Sequence, residues 1–294
     1  MNPENPAIEK NKVFSRLVLN YRRLQERRKG RGTLSGDMRL ISAVAGNLDD
    51  FFASGAVFLN EECGLAEDKE IRKEGAFFSL CHQIASERDD FFQKIVRPKL
   101  LNEDIIYDFS AFPSRPADRA LLNDRFEKIV FPALTPLALD ASHPFPKLQN
   151  RTLNLAAAMK RDGKKSLVLV QVPALLPRCF LLSEKPPVFV FLEAMIMRLI
   201  TRLFSGPVTE VSPFRVTREE AAPALADETE QNCRGKVVRL EVQTPVSPFI
   251  KLTLMEVLEL EERNVFLSGS PIDLSCLTVI SDYMDAQYPP LICP

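Results

Sequence analysis

The chain has 294 residues, and its 38 lysines and arginines against 39 aspartates and glutamates leave a formal net charge of −1. Hydrophobic residues make up 46% and charged residues 26%, values typical of a globular protein, and the length predicts about two domains. A net charge this close to zero excludes a whole-molecule field that attracts nucleic acid or an anionic membrane, so any polyanion site has to be local.

The amino-terminal region has the apolar spacing of two helices joined by a turn. The first helix is predicted to end near Lys29, and the glycines that follow favour a turn before a second helix capped by Asp37. The apolar stripe of the first helix is Phe14, Leu17, Tyr21 and Leu24. That of the second helix is Met38, Ile41, Val44, Leu48 and Phe51. The two helices are expected to form an antiparallel hairpin.

A third, longer helix is predicted from about residue 68 to 96, because this stretch contains no proline and keeps helical spacing. At ~1.5 Å per residue it would be about 40 Å long, and Pro98 is expected just beyond its end. The segment 110–118 contains two prolines and no periodicity, which is typical of a domain boundary. We therefore expect a helical domain over residues 1–110 and a second domain over residues 111–294.

The second half alternates β-rich runs with helical segments. Strands are predicted near residues 153–157, 167–172 and 237–242, and helices near 192–204 and 249–258. Strand and helix do not alternate regularly, and no glycine-rich turn follows a strand, so a mixed or antiparallel sheet is favoured over a doubly wound parallel one. The predicted fold class is therefore α+β, an amino-terminal antiparallel helical bundle followed by a mixed α+β head domain.

Residue types that carry common catalytic chemistry are scarce. The two histidines are expected to be a partly buried or surface side chain at His82 and a turn residue at His143. The six cysteines lack metal-binding spacing, and the motifs of phosphate loops, dinucleotide folds, serine hydrolases and zinc proteases are absent from the sequence. We therefore predict no catalytic residue and no metal site in the chain.

The sequence also lacks the pattern of a membrane protein. Its most apolar stretch, residues 187–197, is interrupted by Glu193 and is shorter than the ~20 residues that cross a bilayer. The start MNPENPAIEK has no apolar core of a signal peptide. A cytoplasmic protein with reduced thiols and no membrane span is expected.

The densest charge cluster covers residues 21–31, where six basic groups stand against Glu26. Such a cluster can hold a phosphate chain or a nucleic-acid backbone by charge. The candidate phosphate contacts are Arg22, Arg23, Arg27 and Arg28. The alternative is a solvated helix face, because few aromatic residues are interleaved and Glu26 can pair with a neighbouring arginine.

The peptide NLDDFF, residues 47–52, places polar side chains on a helix that is otherwise apolar on its inner face. Such side chains need partners. The residues alone allow two interpretations of Asn47: a core amide bonded to backbone, or a ligand contact.

The order of unusual peptides resembles the amino-terminal half of the bacterial polyphosphate kinase family, the ATP:polyphosphate phosphotransferases. NLDDFF is similar to that family's NLDEFF, and residues 131–156 resemble its long signature around HPFP. Further matching peptides follow in family order: VQVPALLPRCFLL (170–182), FVFLEAMI (189–196), SPFRVTRE (212–219), VRLEV (238–242) and PIDLSCL (271–277).

This resemblance implies a helical domain up to about residue 110 and a head domain that mediates dimerisation. The residue matching Asn47 is an ATP contact in the family, so ATP or polyphosphate is the expected ligand. Neither histidine matches the phosphorylated histidine, which lies with the magnesium-binding groups in carboxy-terminal domains that the sequence does not contain. We therefore expect no catalysis by the chain alone, and magnesium only together with those domains.

Two departures from the family pattern affect the binding role. The family's SWL is SRL here, which places Arg16, and an arginine that follows the NLDEFF peptide is Gly55. Losing a basic group beside a phosphate path forfeits a charge-assisted contact. Asn20 and Arg22 still match the family's FNxR.

Two functions remain open from the sequence. The chain is either part of a polyphosphate kinase completed by other domains, or a non-catalytic module that dimerises, binds polyphosphate or regulates a full-length kinase as a hetero-oligomer. Arg215 and Arg218 are expected to form head-domain ion pairs or subunit contacts, with phosphate contact as the alternative.

Overall fold

The computed structural model describes residues 6–28, 32–55, 76–102, 115–139, 145–161, 163–184, 187–219 and 235–286. Lys29, His143, the boundary predicted near residue 110 and the first turns of the predicted third helix lie outside the described residues.

The predicted helical hairpin is confirmed. Helix α1 covers Pro6–Arg27 and α2 covers Leu34–Ala53, and the stripes predicted from the sequence face inward. The expected cap was wrong, because α2 begins before Asp37: the side chain of Thr33 caps it by accepting the Gly36 backbone N–H at 3.2 Å. Asp37 instead lies buried in the first turn.

The third helix does not end before Pro98 as predicted. Helix α3 covers Ala76–Phe91, a π-helical turn follows at Phe92–Val96, and α4 continues over Arg97–Asn102. In a regular helix the proline ring would clash with the carbonyl four residues earlier, and the widened turn gives it room. The helix therefore passes through the proline.

A second π-helical turn precedes a proline where the chain enters the sheet. Helix α5 covers Pro116–Arg125, and a π-helical turn at Phe126–Val130 precedes the proline-containing 3-10 turn Phe131–Ala133. In both places the π turn ends two residues before a proline.

Six of the described strands form one sheet in the order β1-β3-β2-β6-β7-β8, and β4 and β5 form a separate hairpin. All neighbours are antiparallel except β7 and β8, so the predicted mixed sheet is confirmed. The strands are β1 Pro136–Leu139, β2 Leu153–Arg161, β3 Lys164–Gln171, β4 Cys179–Glu184, β5 Pro187–Phe191, β6 Val208–Arg218, β7 Val237–Gln243 and β8 Val265–Ser268.

Three further helices lie in the second half of the chain. The apolar spacing predicted the first two of them. They are α6 Leu192–Leu199, extended by a 3-10 turn Ile200–Leu203, then α7 Pro248–Val257, and finally α8 Cys276–Ala286 after a 3-10 turn Glu262–Asn264. Among the residues described, no helix is both long and apolar enough to cross a membrane.

The largest hydrophobic cluster joins the two halves of the chain. It contains the inner stripes of α1, α2 and α3, together with side chains from the sheet and from α8, such as Phe266 and Ile280. Helix α8 lies against α2, where the hydroxyls of Ser35 and Ser281 are 2.7 Å apart and Ser35 also donates to Asp285. The α+β fold class is thus confirmed, and the helical hairpin shares its core with the head.

Candidate functional site

The peptide NLDDFF lies in the last turns of α2, and its side chains point to different neighbours. Asn47 is half-buried, and its Nδ2 donates to the backbone carbonyl of Arg16 on α1 at 3.3 Å. Its Oδ1 accepts no hydrogen bond from the part of the chain that the structure describes. The amide is thus oriented by backbone, with its acceptor left open.

Asp49 anchors α2 to the sheet. It is only 7% exposed and accepts hydrogen bonds from Arg215 at 2.9 Å and from Arg239. Both arginines also donate to Glu241, at 2.5 and 2.9 Å. Arg215 lies opposite Glu241 in the register of β6 and β7. Because side chains two residues apart share one face of a strand, these groups all meet α2.

A third arginine reaches this cluster from α3. Arg88 is 2% exposed, lies 3.7 Å from Glu241 and donates to its neighbour Asp89 at 3.2 Å. Asp89 in turn accepts from the Gly269 N–H and the Ser270 hydroxyl, so it fixes the turn that follows β8. We call Asp49, Arg88, Arg215, Arg239 and Glu241 the junction cluster.

The arginines of the junction cluster hold Glu241 ionised. Burial alone would raise the pKa of Glu241, but attraction to Arg215, Arg239 and Arg88 outweighs it and lowers the pKa to about 2. Burial alone would lower the pKa of Arg215, but attraction to Asp49 and Glu241 outweighs it and raises that pKa. Buried charges paired in this way are costly to break, because removal of one partner leaves the other uncompensated.

The remaining residues of the peptide also fasten the helix. Asp50 accepts from Arg151 at 3.1 Å, and the same guanidinium donates to the backbone carbonyl of Asp49. Phe51 packs against Phe14 and Phe77 at ring distances of 5.8 Å. The ring of Phe52 is 5.4 Å from that of Phe266. The guanidinium of Arg239 lies 5.0 Å from the centre of the Phe52 ring, a cation–π contact.

The structure separates the four arginines that the sequence grouped as phosphate contacts. Arg27 lies 3.6 Å from Asp37, and Arg28 forms ion pairs with Glu87 at 3.1 Å and Asp90 at 3.0 Å. Arg22 and Arg23 are exposed to solvent, and Arg23 donates to Asn20 at 3.3 Å. Two of the four candidates therefore hold α1 to its neighbours.

A cleft of about 340 Å³ lies against α2, with Asp49 and Arg215 in its lining. Its charges are largely compensated: Arg39 pairs with Asp282 at 2.7 Å and with Asp285 at 2.9 Å. The other lining residues are Ser42, Ala43, Ala45, Gly46, Asp273, Leu274, Ser275 and Thr278.

His82 takes the structural role expected for it. The side chain is half-buried, its ring stacks on Phe266 at 3.9 Å, and its Nε2 lies 2.9 Å from the backbone carbonyl of Arg263. Within the described ranges, no three His, Cys, Asp or Glu side chains are grouped to hold a metal ion.

The expected head-domain ion pair is confirmed for Arg215, which pairs with Glu241 on β7, and its second partner, Asp49, lies on α2. Arg218 donates to the backbone carbonyls of Leu148 and Gly235 at 3.0 and 2.9 Å. Sequence reasoning missed Arg88, Arg239 and Glu241. The available signal was the pattern VVRLEV, where two charged residues two positions apart interrupt a buried strand.

Comparison with known proteins places this fold in a family. Residues 117–280 match the family model described as the polyphosphate kinase middle domain. The chain is 32% identical over 310 residues to the polyphosphate kinase of Halalkalibacterium halodurans, covering 96% of this chain and 44% of that protein. It is 30% identical over 327 residues to the polyphosphate kinase of Bacillus cereus, covering 100% of this chain and 46% of that one.

The fold is also that of a solved relative. The crystal structure of polyphosphate kinase from Porphyromonas gingivalis superposes with a TM-score of 0.68 at 19% identity, over 90% of this chain and 40% of that one. The chain belongs to the polyphosphate kinase family. It spans less than half the length of the two curated relatives, 44% and 46%.

Proposed function

We propose that this chain provides the amino-terminal and head part of a polyphosphate kinase, binds ATP through Asn47 and dimerises through the head, and does not transfer phosphate by itself. The observation that carries the ATP role is the outward placement of Asn47. Every charged or aromatic neighbour in its peptide is used to fasten α2, whereas the Oδ1 of Asn47 is open.

The chemistry of an asparagine amide suits this ligand. Asparagine recognises adenine by accepting from the amino group and donating to a ring nitrogen. In Asn47 one N–H is held by the Arg16 carbonyl, which leaves the Oδ1 and the second N–H for the base.

The metal chemistry of phosphoryl transfer is assigned elsewhere. No acidic or histidine cluster fit for magnesium occurs among residues 6–286 where the structure describes them. From the family resemblance, we propose that magnesium and the phosphorylated group belong to the part of the relatives' length that this chain does not span.

Binding of a slowly hydrolysed ATP analogue, measured by calorimetry on the full chain, tests the ATP role. Asn47→Ala is expected to weaken binding by about tenfold, the equivalent of one lost hydrogen bond of roughly 1.4 kcal/mol. Asn123→Ala on α5 is the matched control, since its half-buried amide bonds Arg202 far from α2. Equal affinities for the two variants would remove Asn47 from the site.

Catalysis is tested separately. The purified chain with ATP, magnesium and polyphosphate is expected to show no phosphoryl transfer, and activity is expected to appear when the carboxy-terminal half of a relative is added. Turnover by the chain alone would contradict the proposal.

The alternative, a non-catalytic module that regulates a full-length kinase, is favoured by Gly55. This glycine has φ +68°, and a Cβ there would overlap the carboxylate of Glu219. Replacing Gly55 with the family's arginine would therefore strain the backbone and displace Glu219. Co-purification with a full-length kinase, together with no nucleotide affinity, would support this second function.

A further inference from the structure

Helix α1 places its polar side chains on two flanks that meet different helices. On one flank the Tyr21 hydroxyl donates to Glu87 of α3 at 2.8 Å, and Arg28 pairs with the same carboxylate. Burial, and after it the hydrogen bond to Glu87, raises the pKa of Tyr21 to about 12. Groups on this flank are committed to holding α3.

The other flank faces α2. Arg16, Asn20, Arg23 and Arg27 follow one another at spacings of four, three and four residues, so they form one row along the helix. The row passes beside α2 in antiparallel order, because Arg16 contacts Asn47 and Arg27 contacts Asp37. Asn47 therefore stands at one end of a row with three arginines.

The three arginines of the row differ in what they contact. Arg27 is held by the buried Asp37. Arg16 and Arg23 are exposed, and neither forms an ion pair with any residue that the structure describes. Arg23 contacts only the neutral Asn20, at 3.3 Å. Two positive charges thus lie about 10 Å apart along the helix, at ~1.5 Å per residue, without a carboxylate to neutralise them.

The neighbouring surface of α2 leaves this row accessible. Ala43 is exposed and small, and a Cβ added at Gly46 would meet no atom within 4 Å. At these two positions α2 carries no large side chain beside Asn47.

We propose that Arg16 and Arg23, and not Arg27 and Arg28, bind the phosphate chain of the ligand whose other end meets Asn47. The chemical class is a linear chain of phosphates, from either inorganic polyphosphate or a nucleoside triphosphate. The inference rests on the proposed function, because it takes Asn47 as the contact for the base. It assigns Arg16, where the family has tryptophan, a contact specific to this chain.

The experiment measures binding of three probes to the full chain at low salt: inorganic polyphosphate, a slowly hydrolysed ATP analogue and adenosine. Arg16→Gln and Arg23→Gln are each expected to weaken polyphosphate and ATP-analogue binding twofold to fivefold, the range of exposed charge pairs, and to leave adenosine unchanged. The double variant is expected to reduce the dependence of log K on log salt by about one per arginine. Arg16→Lys and Arg23→Lys are expected to retain most of the binding.

Arg198→Gln is the matched control, since Arg198 is an exposed arginine on α6, outside α1 and α2. Asn47 donates its hydrogen bond to the backbone carbonyl of Arg16, so Arg16→Gln preserves this bond and the orientation of the amide. Thermal unfolding checks that each variant is folded.

An effect of Arg198→Gln as large as that of either row variant would overturn the inference, and so would an unmodified chain that fails to bind polyphosphate. Weaker adenosine binding in Arg16→Gln would show that the guanidinium stacks on the base instead. Failure of the proposed function is distinguishable: Asn47→Ala would then leave ATP-analogue binding unchanged while the row variants still weaken polyphosphate binding.

Discussion

The junction cluster and the row of α1 use the same residue types in opposite ways. In the junction cluster, arginines that are 1–5% exposed each pair with a carboxylate from another part of the chain. In the row, Arg16 and Arg23 point to solvent beside an amide with an open acceptor. Both regions contact the same family peptide, so a matching peptide alone does not distinguish an anchor from a binding contact, whereas burial and pairing do.

The largest expected effect breaks the junction. Asp49→Ala leaves Arg215 and Arg239 buried with one carboxylate fewer, and we expect it to lower the free energy of unfolding by about 3–5 kcal/mol. Urea denaturation measures this. Asp50→Ala, which removes a pair whose side chains are 33% and 41% exposed, is expected to cost below about 1 kcal/mol. Similar losses for the two variants would contradict the distinction between the regions.

The junction cluster also predicts a response to acid. The pKa of Glu241 falls from 4.5 to about 2 on folding, so its ionised form stabilises the protein above pH 4.5. That contribution, on the order of 3 kcal/mol, is lost as the pH falls from about 4.5 towards 2. We expect the stability difference between the unmodified chain and Glu241→Gln to narrow over this window. A difference that stays constant with pH would show that folding does not lower the pKa of Glu241.

A smaller effect tests the division within the row. Arg27→Gln removes a partner of the buried Asp37, whose other cation is Lys99 at 3.2 Å, and is expected to cost about 1 kcal/mol. Arg23→Gln, on the same row, is expected to change stability by less than about 0.5 kcal/mol. If both variants were equally destabilised, Arg23 would have a structural partner as well.

Local signals in the sequence predicted most of the elements. The hairpin, the mixed sheet and the helices near residues 192–204 and 249–258 follow from periodicity, and the structure has them. The cap at Thr33 and the passage through Pro98 were missed, because a side-chain hydrogen bond and a π-helical turn leave little trace in apolar spacing.

The candidate site was less accessible to sequence reasoning. Its members were named from charge and from the family resemblance. Whether each one fastens the fold or stays available for a ligand depends on partners far along the chain: Arg28 pairs with Glu87, and Asp49 with Arg239, 190 residues away. The spacing of residues within a single helix cannot reveal ion pairs between distant segments of the chain. The roles of Asn47 and Arg23 as ligand contacts therefore remain predictions for the binding experiments.

The contact between Ser35 and Ser281 has a consequence for the order in which the protein forms. It joins residues 246 positions apart and, with Asp285, places α8 over α2. A ribosome normally releases amino-terminal units that fold first. Here the amino-terminal helices emerge early but gain their covering helix only after residues 276–286 have been made, so their exposed apolar face is a substrate for chaperones until then.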